Sequence, residues 1–308
     1  MRIGIVGAGA IGLAFAAALA RAHDVVLLAR RASAAETIVR DGITVEDSDG
    51  VHNVPVRATA DAGSFDGCDA VIVAVKAYST AEALAPLRGV LTPHALVATV
   101  QNGIDNADVI RRALPGARAI AGSTQQGVIR LGDERVRSVN RGTTVFARDE
   151  SAAPTSDDLA EAFAAVGLDA RVAGDVEQLL WQKLLIVAAI NPLGALTGRT
   201  NGAVVTDPDL IALARALVAE AAAVARAERV DPGDAWAAVE AAGRSTAANR
   251  NSMLQDLDAG RPTEIDAISG AIVRRARDHG IAVPLTETML HLVRARERSA
   301  FDPRGAER

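Results

Sequence analysis

One lysine lies in a long apolar segment that the sequence predicts to be helical. The segment starts after Asp175 and runs to about Ile190, and Lys183 is its only cation. Because apolar neighbours keep water away from an ammonium group, we expect the pKa of Lys183 to fall toward neutrality, where a lysine can act as a general acid. The alternative is a lysine at the edge of the helix that extends its ammonium group into water. Composition alone slightly favours this second interpretation.

The residues that follow Lys183 at helical spacing would accompany it on the helix surface. Val187 and Asn191 follow at successive intervals of four, so they lie close to one stripe with the lysine. If Lys183 faces a cleft, both residues border that cleft. Asn191-Pro192 is predicted to end the helix, because the residue before a proline is disfavoured in the α region.

Two further polar groups follow predicted buried strands. Lys76 comes directly after the apolar run 70–75, and Asn102 with Gly103 comes shortly after the run 95–100. In open parallel sheets, ligands bind outside the carboxyl ends of the strands, so Lys76 and Asn102 are candidates for contact with a cofactor or a substrate. The alternatives are an exposed loop lysine and an ordinary turn, which the Asn-Gly pair also favours.

A glycine-rich turn near the start of the chain predicts where a cofactor binds. The apolar run 2–6 leads into Gly7-Ala8-Gly9-Ala10-Ile11-Gly12, and an alanine-rich helical segment follows. In this context Gly7 permits the tight turn, Gly9 lets the backbone approach a pyrophosphate, and Gly12 allows the helix and strand to pack closely. The pyrophosphate would lie at the helix N-terminus, where free N–H groups favour an anion. The alternative is a Gly/Ala-rich turn in a helical protein.

The residues after the second predicted strand favour NADPH over NADH. Sites for NAD place an Asp or Glu about 20 residues beyond the glycines, where it bonds the ribose 2′-hydroxyl. Here Ala29-Arg30-Arg31 follows the strand 25–28. Guanidinium groups suit a 2′-phosphate, whereas a carboxylate would repel it. We therefore predict NADP(H) as the cofactor; the alternative is two solvated surface arginines.

Two polar stretches in the C-terminal half also permit a functional interpretation. Ser252 closes the run Asn-Arg-Asn-Ser at 249–252, which is poor helix-forming sequence and is either a functional segment or a solvated turn. Glu264 lies in Thr263-Glu264-Ile265-Asp266, which opens another predicted helix. Thr263 and Asp266 have the spacing of a capping box, so Glu264 also has a structural explanation as an acid in the first helical turn.

A parallel sheet and a helical region are needed to hold these residues. Apolar runs alternate with helical segments through the first half, which is the pattern of an α/β protein with a doubly wound, Rossmann-type sheet. Three β-rich pieces within 117–148 are predicted to extend this sheet with antiparallel strands. From about Gly174 onward only helical signals appear. We predict an NADP-binding domain over 1–174 and an all-helical substrate-binding and catalytic domain over 175–308.

Composition limits the class of protein. The 308 residues carry a net charge of −5 with both signs interspersed, so nothing indicates a nucleic-acid or membrane partner. No apolar run approaches the length of a membrane span. The single Cys68 excludes an intramolecular disulfide, and the scattered histidines show no metal-ligand spacing. A strand begins directly after Met1, which leaves no room for a signal peptide, so we expect a cytoplasmic protein.

The chain resembles the 2-dehydropantoate 2-reductases (ketopantoate reductases) over nearly its whole length. The most distinctive matches are the lysine helix with its Asn-Pro pair, a Ser-Met-Leu-Gln-Asp motif and a Thr-Glu-Ile-Asp motif. The matching elements stand in order as Gly7–Gly12, Val75-Lys76-Ala77, Gln101-Asn102-Gly103, Trp181-Gln182-Lys183-Leu184, Ile190-Asn191-Pro192-Leu193, Ser252-Met253-Leu254-Gln255-Asp256 and Thr263-Glu264-Ile265-Asp266.

The resemblance implies an activity and a set of site residues. It implies reduction of 2-dehydropantoate to pantoate, in pantothenate and coenzyme A biosynthesis, by hydride transfer from NADPH to the 2-keto carbon. Lys183 matches the lysine that protonates the ketone oxygen, and Glu264 matches the glutamate near the nicotinamide and substrate. The residues matching substrate contacts are Asn102, Asn191, Asn201 and Ser252. Those matching cofactor contacts are Gly7, Ala8, Gly9, Ala10, Ile11, Gly12, Arg30, Lys76, Asn102, Val128 and Glu264.

One residue departs from the pattern of this family. Family members usually carry an asparagine four residues after the lysine, and here that residue is Val187. A valine removes a donor and an acceptor, at a cost of about 1–3 kcal/mol for a polar substrate group that faces it. The first alternative is therefore a related reductase of a more apolar 2-oxo acid, and the second is a non-catalytic NADPH-binding sensor. The oligomeric state is left open, with a homodimer as the alternative to a monomer.

Overall fold

The computed structural model describes residues 1–301, and the last residues of the predicted second domain, 302–308, lie outside them. The chain divides into two compact units. The first comprises Met1–Gln101 and Asp105–Val176, and the second comprises Asn102–Ile104 and the chain from Glu177 onward. The assignment of cofactor binding to 1–174 and of catalysis to 175–308 stays a prediction.

Strands and short helices alternate in the first unit. The strands are β1 (Arg2–Val6), β2 (Asp24–Leu28), β3 (Ile43–Asp47), β4 (Gly50–Val54), β5 (Arg57–Thr59), β6 (Ala70–Val73), β7 (Leu96–Thr99), β8 (Arg118–Ile120), β9 (Gly122–Thr124), β10 (Gly127–Arg130), β11 (Arg135–Asn140), β12 (Thr144–Ala147) and β13 (Ala170–Ala173). The α-helices are α1 (Ala10–Leu19), α2 (Ala32–Asp41), α3 (Thr80–Leu84), α4 (Asn106–Ala113) and α5 (Ser156–Ala164).

A six-stranded parallel sheet forms the centre of the first unit. Its strand order is β5-β2-β1-β6-β7-β8, and β1 pairs in parallel with both β2 and β6. Every residue of β6 and β7 is buried, as expected for strands covered on both faces. The order reverses at β1, where ligands bind in open α/β sheets. The predicted doubly wound, Rossmann-type sheet is confirmed.

The strands between residues 117 and 148 differ from the prediction. They do not extend the central sheet with antiparallel strands: β8 joins β7 in parallel, β12 lies in a three-stranded sheet with β9 and β13, and β11 lies in a four-stranded sheet. The buried side of β12 packs elsewhere, because Phe146 meets Phe163 of α5, and Phe163 in turn meets Phe15 of α1, both edge to face. This aromatic contact binds β12 to the helices.

The second unit is helical, as predicted. Its helices are α6 (Val176–Thr197), α7 (Asn201–Val204), α8 (Pro208–Ala227), α9 (Ala235–Ser245), α10 (Ser252–Asp258), α11 (Ile265–Asp278) and α12 (Pro284–Phe301). The apolar faces of α6, α8 and α11 share one core, which includes Leu184, Leu217 and Ile268. Asp207 caps α8 by accepting hydrogen bonds from the amides of Asp209 and Leu210.

Helix α6 continues through Asn191-Pro192, so the predicted helix end is wrong. All residues from 188 to 195 are buried, and the apolar burial outweighs the hydrogen bond that Pro192 cannot donate. Among the described residues, α6 is also the one helix long and apolar enough to cross a membrane, so the prediction that no apolar run approaches that length is wrong. About 67% of the tested window is buried within the protein, and core helices of soluble proteins pass the same test.

Candidate active site

The glycine turn between β1 and α1 has the geometry that the sequence predicts. Gly7 has a φ of +112°, which side chains rarely adopt, and its amide donates to the carbonyl oxygen of Leu28 at 3.0 Å. A Cβ atom at Gly12 would lie 1.8 Å from the carbonyl oxygen of Gly7. Gly12 is therefore required for the packing of the helix against the turn.

The middle glycine differs from its neighbours because the space beside it is open. A Cβ atom at Gly9 would have one neighbour within 4 Å, the carbonyl oxygen of Ala74 at 3.7 Å. Gly9 is the N-cap of α1, so the amides of Ala10 and Ile11 are among those without an acceptor inside the helix. Free amides at a helix N-terminus are groups that can bind the pyrophosphate of a dinucleotide, and the bare Gly9 leaves room beside them.

The two arginines after β2 have different surroundings. Arg31 is the N-cap residue of α2, and its guanidinium donates to both carboxylate oxygens of Asp133 at 2.7 and 2.6 Å. Arg30 is exposed, and no carboxylate among the described residues pairs with it. Arg30 is thus the guanidinium left available for an anionic ligand at the end of β2.

A buried glutamine connects the ends of β6 and β7. Gln101 Nε2 donates to the carbonyl oxygen of Val75 and to Thr80 Oγ1, both at 2.7 Å, and its Oε1 accepts from Thr99 Oγ1 at 2.8 Å. The bond to Val75 fixes the backbone directly before Lys76, which is half-buried. Gln101 belongs to the predicted polar group at the end of β7, but it is not among the predicted site residues. Its position after a buried strand was the signal available.

Val128, the remaining predicted cofactor contact, lies in β10. Its side chain is half-buried and packs against the core of the first unit. The pairing of β10 with β11 shifts register between Gly127 and Val128. Such an irregularity redirects the backbone groups of the strand, which is compatible with a backbone contact.

Lys183 is half-buried on α6, with the buried residues Leu184 and Leu185 beside it. Burial lowers the pKa of Lys183 to about 8, and the negative charge of Glu264 acts in the opposite direction. The chain contains only two lysines, Lys76 and Lys183, although its lysines and arginines together number 33. An arginine cannot release a proton near neutral pH, whereas a buried lysine can.

Glu264 is only 7% exposed, and Asn102 holds it. Asn102 Nδ2 donates to Glu264 Oε2 at 3.0 Å. The capping box predicted for Thr263 and Asp266 is absent. The amide of Thr263 donates to Glu297 at 2.7 Å, and Asp266 accepts from Arg294 at 2.9 Å. Long-range partners thus replace the local pair.

The stripe that follows Lys183 becomes more buried along α6. Val187 is half-buried and packs against the core of the second unit, while Asn191 is 6% exposed. The structure therefore keeps an apolar side chain one helical turn from Lys183 and a buried amide two turns away.

Asn201 and Ser252 belong to a second group of residues. Asn201 Nδ2 donates to Thr246 Oγ1 at 2.9 Å, and its Oδ1 is buried with no hydrogen-bond partner among the described residues. Ser252 is exposed at the start of α10, and Asn251 caps that helix by accepting from the amide of Leu254 at 3.0 Å. Asn251 also packs against Gly194 of α6, since a Cβ atom on Gly194 would lie 2.3 Å from Asn251 Nδ2.

The structure thus brings several predicted residues together. Lys183, Glu264 and Asn102 form one group, and Asn201 joins the segment that leads to Ser252. In the first unit, Gly7 and Gly9 lie against the end of β6, because a Cβ atom added to Gly7 would contact Val75 and one added to Gly9 would contact Ala74. A proton donor and a dinucleotide cradle are the chemistry that these groups support.

Comparison with known proteins identifies the same family for both halves of the chain. Residues 3–150 match the family model described as "Ketopantoate reductase PanE/ApbA", and residues 175–297 match its C-terminal counterpart. The 2-dehydropantoate 2-reductase of Halobacterium salinarum is 35% identical over 303 residues, which cover 97% of this chain and 99% of that protein. The Archaeoglobus fulgidus protein of the same name is 32% identical over 298 residues, which cover 96% of this chain and 98% of the relative.

Solved structures give a consistent result. A PanE/ApbA family ketopantoate reductase from Ralstonia eutropha superposes with a TM-score of 0.91 at 33% identity, covering 98% of this chain and 100% of that one. D-mandelate dehydrogenase, solved with NADH and anilino(oxo)acetate, has a TM-score of 0.92 at 24% identity, with the same coverage, and shares the fold. The chain therefore belongs to the ketopantoate reductase (2-dehydropantoate 2-reductase) family of oxidoreductases.

Proposed function

We propose that this protein reduces 2-dehydropantoate to pantoate with NADPH, and that Lys183 donates the proton. The observation that carries the proposal is Lys183 itself, a lysine on an apolar helix whose pKa burial lowers to about 8, under the influence of the Glu264 carboxylate. Its ammonium group is present at neutral pH, and it releases a proton more readily than a solvated lysine does. Membership of the ketopantoate reductase family supports the same role.

Residues of the first unit would hold the cofactor. The amides after Gly9 would bind the pyrophosphate, Arg30 the 2′-phosphate, and Lys76 and the Val128 backbone further parts of NADPH. The open space beside Gly9 and the exposed guanidinium of Arg30 support this fit. When bound, NADPH supplies the hydride that reduces the keto carbon.

Residues of the second unit would act on the substrate. As the keto carbon is reduced, negative charge develops on the keto oxygen, and Lys183 stabilises that charge and then protonates the oxygen. Glu264 keeps Lys183 protonated and, with Asn102, also contacts the cofactor and substrate side of the site. Ser252, Asn191 and Asn201 would bind the carboxylate and hydroxyl groups, and the unpaired Oδ1 of Asn201 supports such a role.

A second candidate is a reductase of a more apolar 2-oxo acid. Val187 carries this alternative, because a half-buried valine one turn from Lys183 offers no hydrogen bond to a substrate hydroxyl. The structural neighbour with mandelate dehydrogenase activity shares the fold and carries no argument about the substrate.

The test is NADPH consumption with 2-dehydropantoate, beside a panel of 2-oxo acids that lack its hydroxyl group. Efficient turnover of 2-dehydropantoate supports the first candidate, and clear preference for an apolar acid supports the second. A protein that binds NADPH tightly yet reduces no 2-oxo acid would instead be a sensor. Lys183→Ala provides the matched control, because it should abolish turnover while NADPH binding, followed by fluorescence titration, stays nearly intact.

We also infer a cytoplasmic location, because the interspersed charges and the small-molecule reaction need neither membrane nor nucleic acid. A homodimer is one possible assembly, and light scattering distinguishes it from a monomer.

A further inference from the structure

Three consecutive residues of the first half of the chain are built into the helical unit. Asn102–Ile104 belongs to the second unit, although the residues on both sides of it belong to the first. Ile104 packs against the apolar core that includes Leu184 and Ile268. This segment follows β7 and precedes α4, and it is fixed by contacts made far away in sequence.

The other two residues of the segment contact the start of α11. Asn102 Nδ2 bonds Glu264, the N-cap residue of that helix, at 3.0 Å. Gly103 has a φ of +101°, and a Cβ atom on it would lie 2.7 Å from the carbonyl oxygen of Ala267. The backbone of the segment therefore approaches α11 more closely than any side-chain-bearing residue would permit.

The position of Glu264 depends on this approach. The amides of Ala267 and Ile268 donate to the Glu264 carbonyl oxygen at 3.0 and 3.1 Å, so its backbone is part of the same helical turn. Its side chain is buried and accepts from Asn102. The bond from Asn102 restrains the orientation of this carboxylate.

We propose that the segment Asn102–Ile104 positions the Glu264 carboxylate that acts on Lys183. Gly103 is the positioning residue that sets the distance between this segment and α11. The inference rests on the proposed function of Lys183 as proton donor. Displacement of the segment would separate the Asn102 amide from Glu264, and the charged carboxylate would then act less strongly on the lysine.

Other charged groups surround the start of α11 without sharing this role. Asp266 is paired with Arg294 and Asp256 with Arg261, and Glu297 accepts from the Thr263 amide. Glu264 is the charge that raises the pKa of Lys183 against the effect of burial. A change confined to Glu264 must therefore lower the pKa of Lys183.

The experiment measures the pH dependence of amine labelling at Lys183 by mass spectrometry, with an N-hydroxysuccinimide ester as the probe. Only Lys76, Lys183 and the N-terminal amine react, so Lys183 is resolved in one peptide. The variants are Gly103→Ala, Asn102→Ala and Glu264→Gln. Gly280→Ala is the matched control, because Gly280 follows the other end of α11, has a φ of +66° and has open space where its Cβ would lie.

We expect the labelling midpoint near pH 8 in the wild type and about 1–3 units lower in Glu264→Gln. Gly103→Ala and Asn102→Ala should shift it in the same direction, and Gly280→Ala should leave it unchanged. A wild-type midpoint in both Gly103→Ala and Asn102→Ala would overturn the inference, and Asn102→Ala decides alone if Gly103→Ala does not fold. Labelling needs no substrate, so failure of the proposed reductase activity would appear separately, as absent turnover with these shifts retained.

Discussion

The side-chain amide of Gln101 donates to the carbonyl oxygen of Val75 at 2.7 Å, and this bond joins the ends of two neighbouring strands. The same nitrogen reaches Thr80 Oγ1, so one side chain fixes both sides of Lys76. The backbone on both sides of Lys76 is therefore restrained.

Replacement of this glutamine should weaken cofactor binding more than turnover. In Gln101→Met, the Val75 carbonyl and Thr80 hydroxyl lose their donor, at a cost of about 1–3 kcal/mol in the free energy of unfolding. We expect the KM for NADPH to rise several-fold with kcat nearly unchanged. Gln126→Met is the control, because Gln126 makes a similar side-chain bond to a different backbone group, the Gly142 carbonyl oxygen at 2.9 Å. Equal KM values for the two variants would contradict the assignment.

Alanine variants at two glycines of the same motif should have different defects, one in NADPH binding and the other in stability. Gly9→Ala should fold normally, since its Cβ would meet only the Ala74 carbonyl oxygen at 3.7 Å, yet bind NADPH more than about tenfold more weakly because the methyl group occupies the pyrophosphate position. Gly12→Ala should be severely destabilised, since its Cβ would lie 1.8 Å from the Gly7 oxygen. Thermal unfolding and fluorescence titration separate the two effects. Tight NADPH binding by Gly9→Ala would exclude the cradle.

Arg30 should determine the choice between NADPH and NADH. Loss of a charge-assisted hydrogen bond to the 2′-phosphate costs about 1.5–3 kcal/mol, so kcat/KM with NADPH should fall about 10- to 100-fold in Arg30→Ala. The value with NADH should hardly change. Arg40→Ala, which removes an exposed arginine of α2, serves as control. A wild-type preference for NADH would reject the NADPH prediction outright.

The pH dependence of the reaction should change sign with its direction. Reduction needs the Lys183 ammonium, which is lost as the pH rises through about 8, so kcat/KM should fall about tenfold per unit above that pH. Oxidation of pantoate needs the neutral amine, so its kcat/KM should rise up to about pH 8 and then level off. Lys183→Ala should lose about 10²–10⁴ in both directions. A reduction rate that stays flat to pH 10 would show that another group donates the proton.

Val187 should affect substrate choice. In Val187→Asn, a hydroxyl group of 2-dehydropantoate regains a hydrogen-bond partner. The kcat/KM for 2-dehydropantoate divided by that for 3-methyl-2-oxobutanoate should therefore rise, by a factor that corresponds to about 1–3 kcal/mol of transition-state free energy. Val187→Ala controls for volume and should leave the ratio nearly unchanged. An unaltered ratio in Val187→Asn would mean that this side chain does not face the substrate hydroxyl.

Local patterns predicted the parts of the site that local residues build. The turn Gly7–Gly12 follows from its own sequence, because Gly7 supplies the positive φ and Gly12 makes room for the Gly7 carbonyl oxygen five residues away. The predicted helix end at Pro192 was wrong because burial of the whole 188–195 segment is a property of the packed unit. The capping box at Thr263 failed for the same reason, since Asp266 instead pairs with Arg294 from another helix.

The pairing of distant residues lay beyond sequence patterns. Asn102 and Glu264 are separated by 162 positions, and nothing in either local sequence indicates the other. The role of Gln101 likewise arises from contacts with residues that precede it by 21 and 26 positions. Residue types at strand ends indicated that these residues matter, but only the fold shows which groups they hold.

The length and apolar composition of α6 have a consequence for the synthesis of the protein itself. During translation this apolar segment is made before α8 and α11, the helices that later share its core. Until then it resembles a membrane-spanning segment in length and composition. A lysine near the centre of such a segment costs about 2.5–3.5 kcal/mol on insertion into a bilayer. The charge of Lys183 therefore opposes insertion of this segment into a bilayer at the stage when its packing partners are still missing.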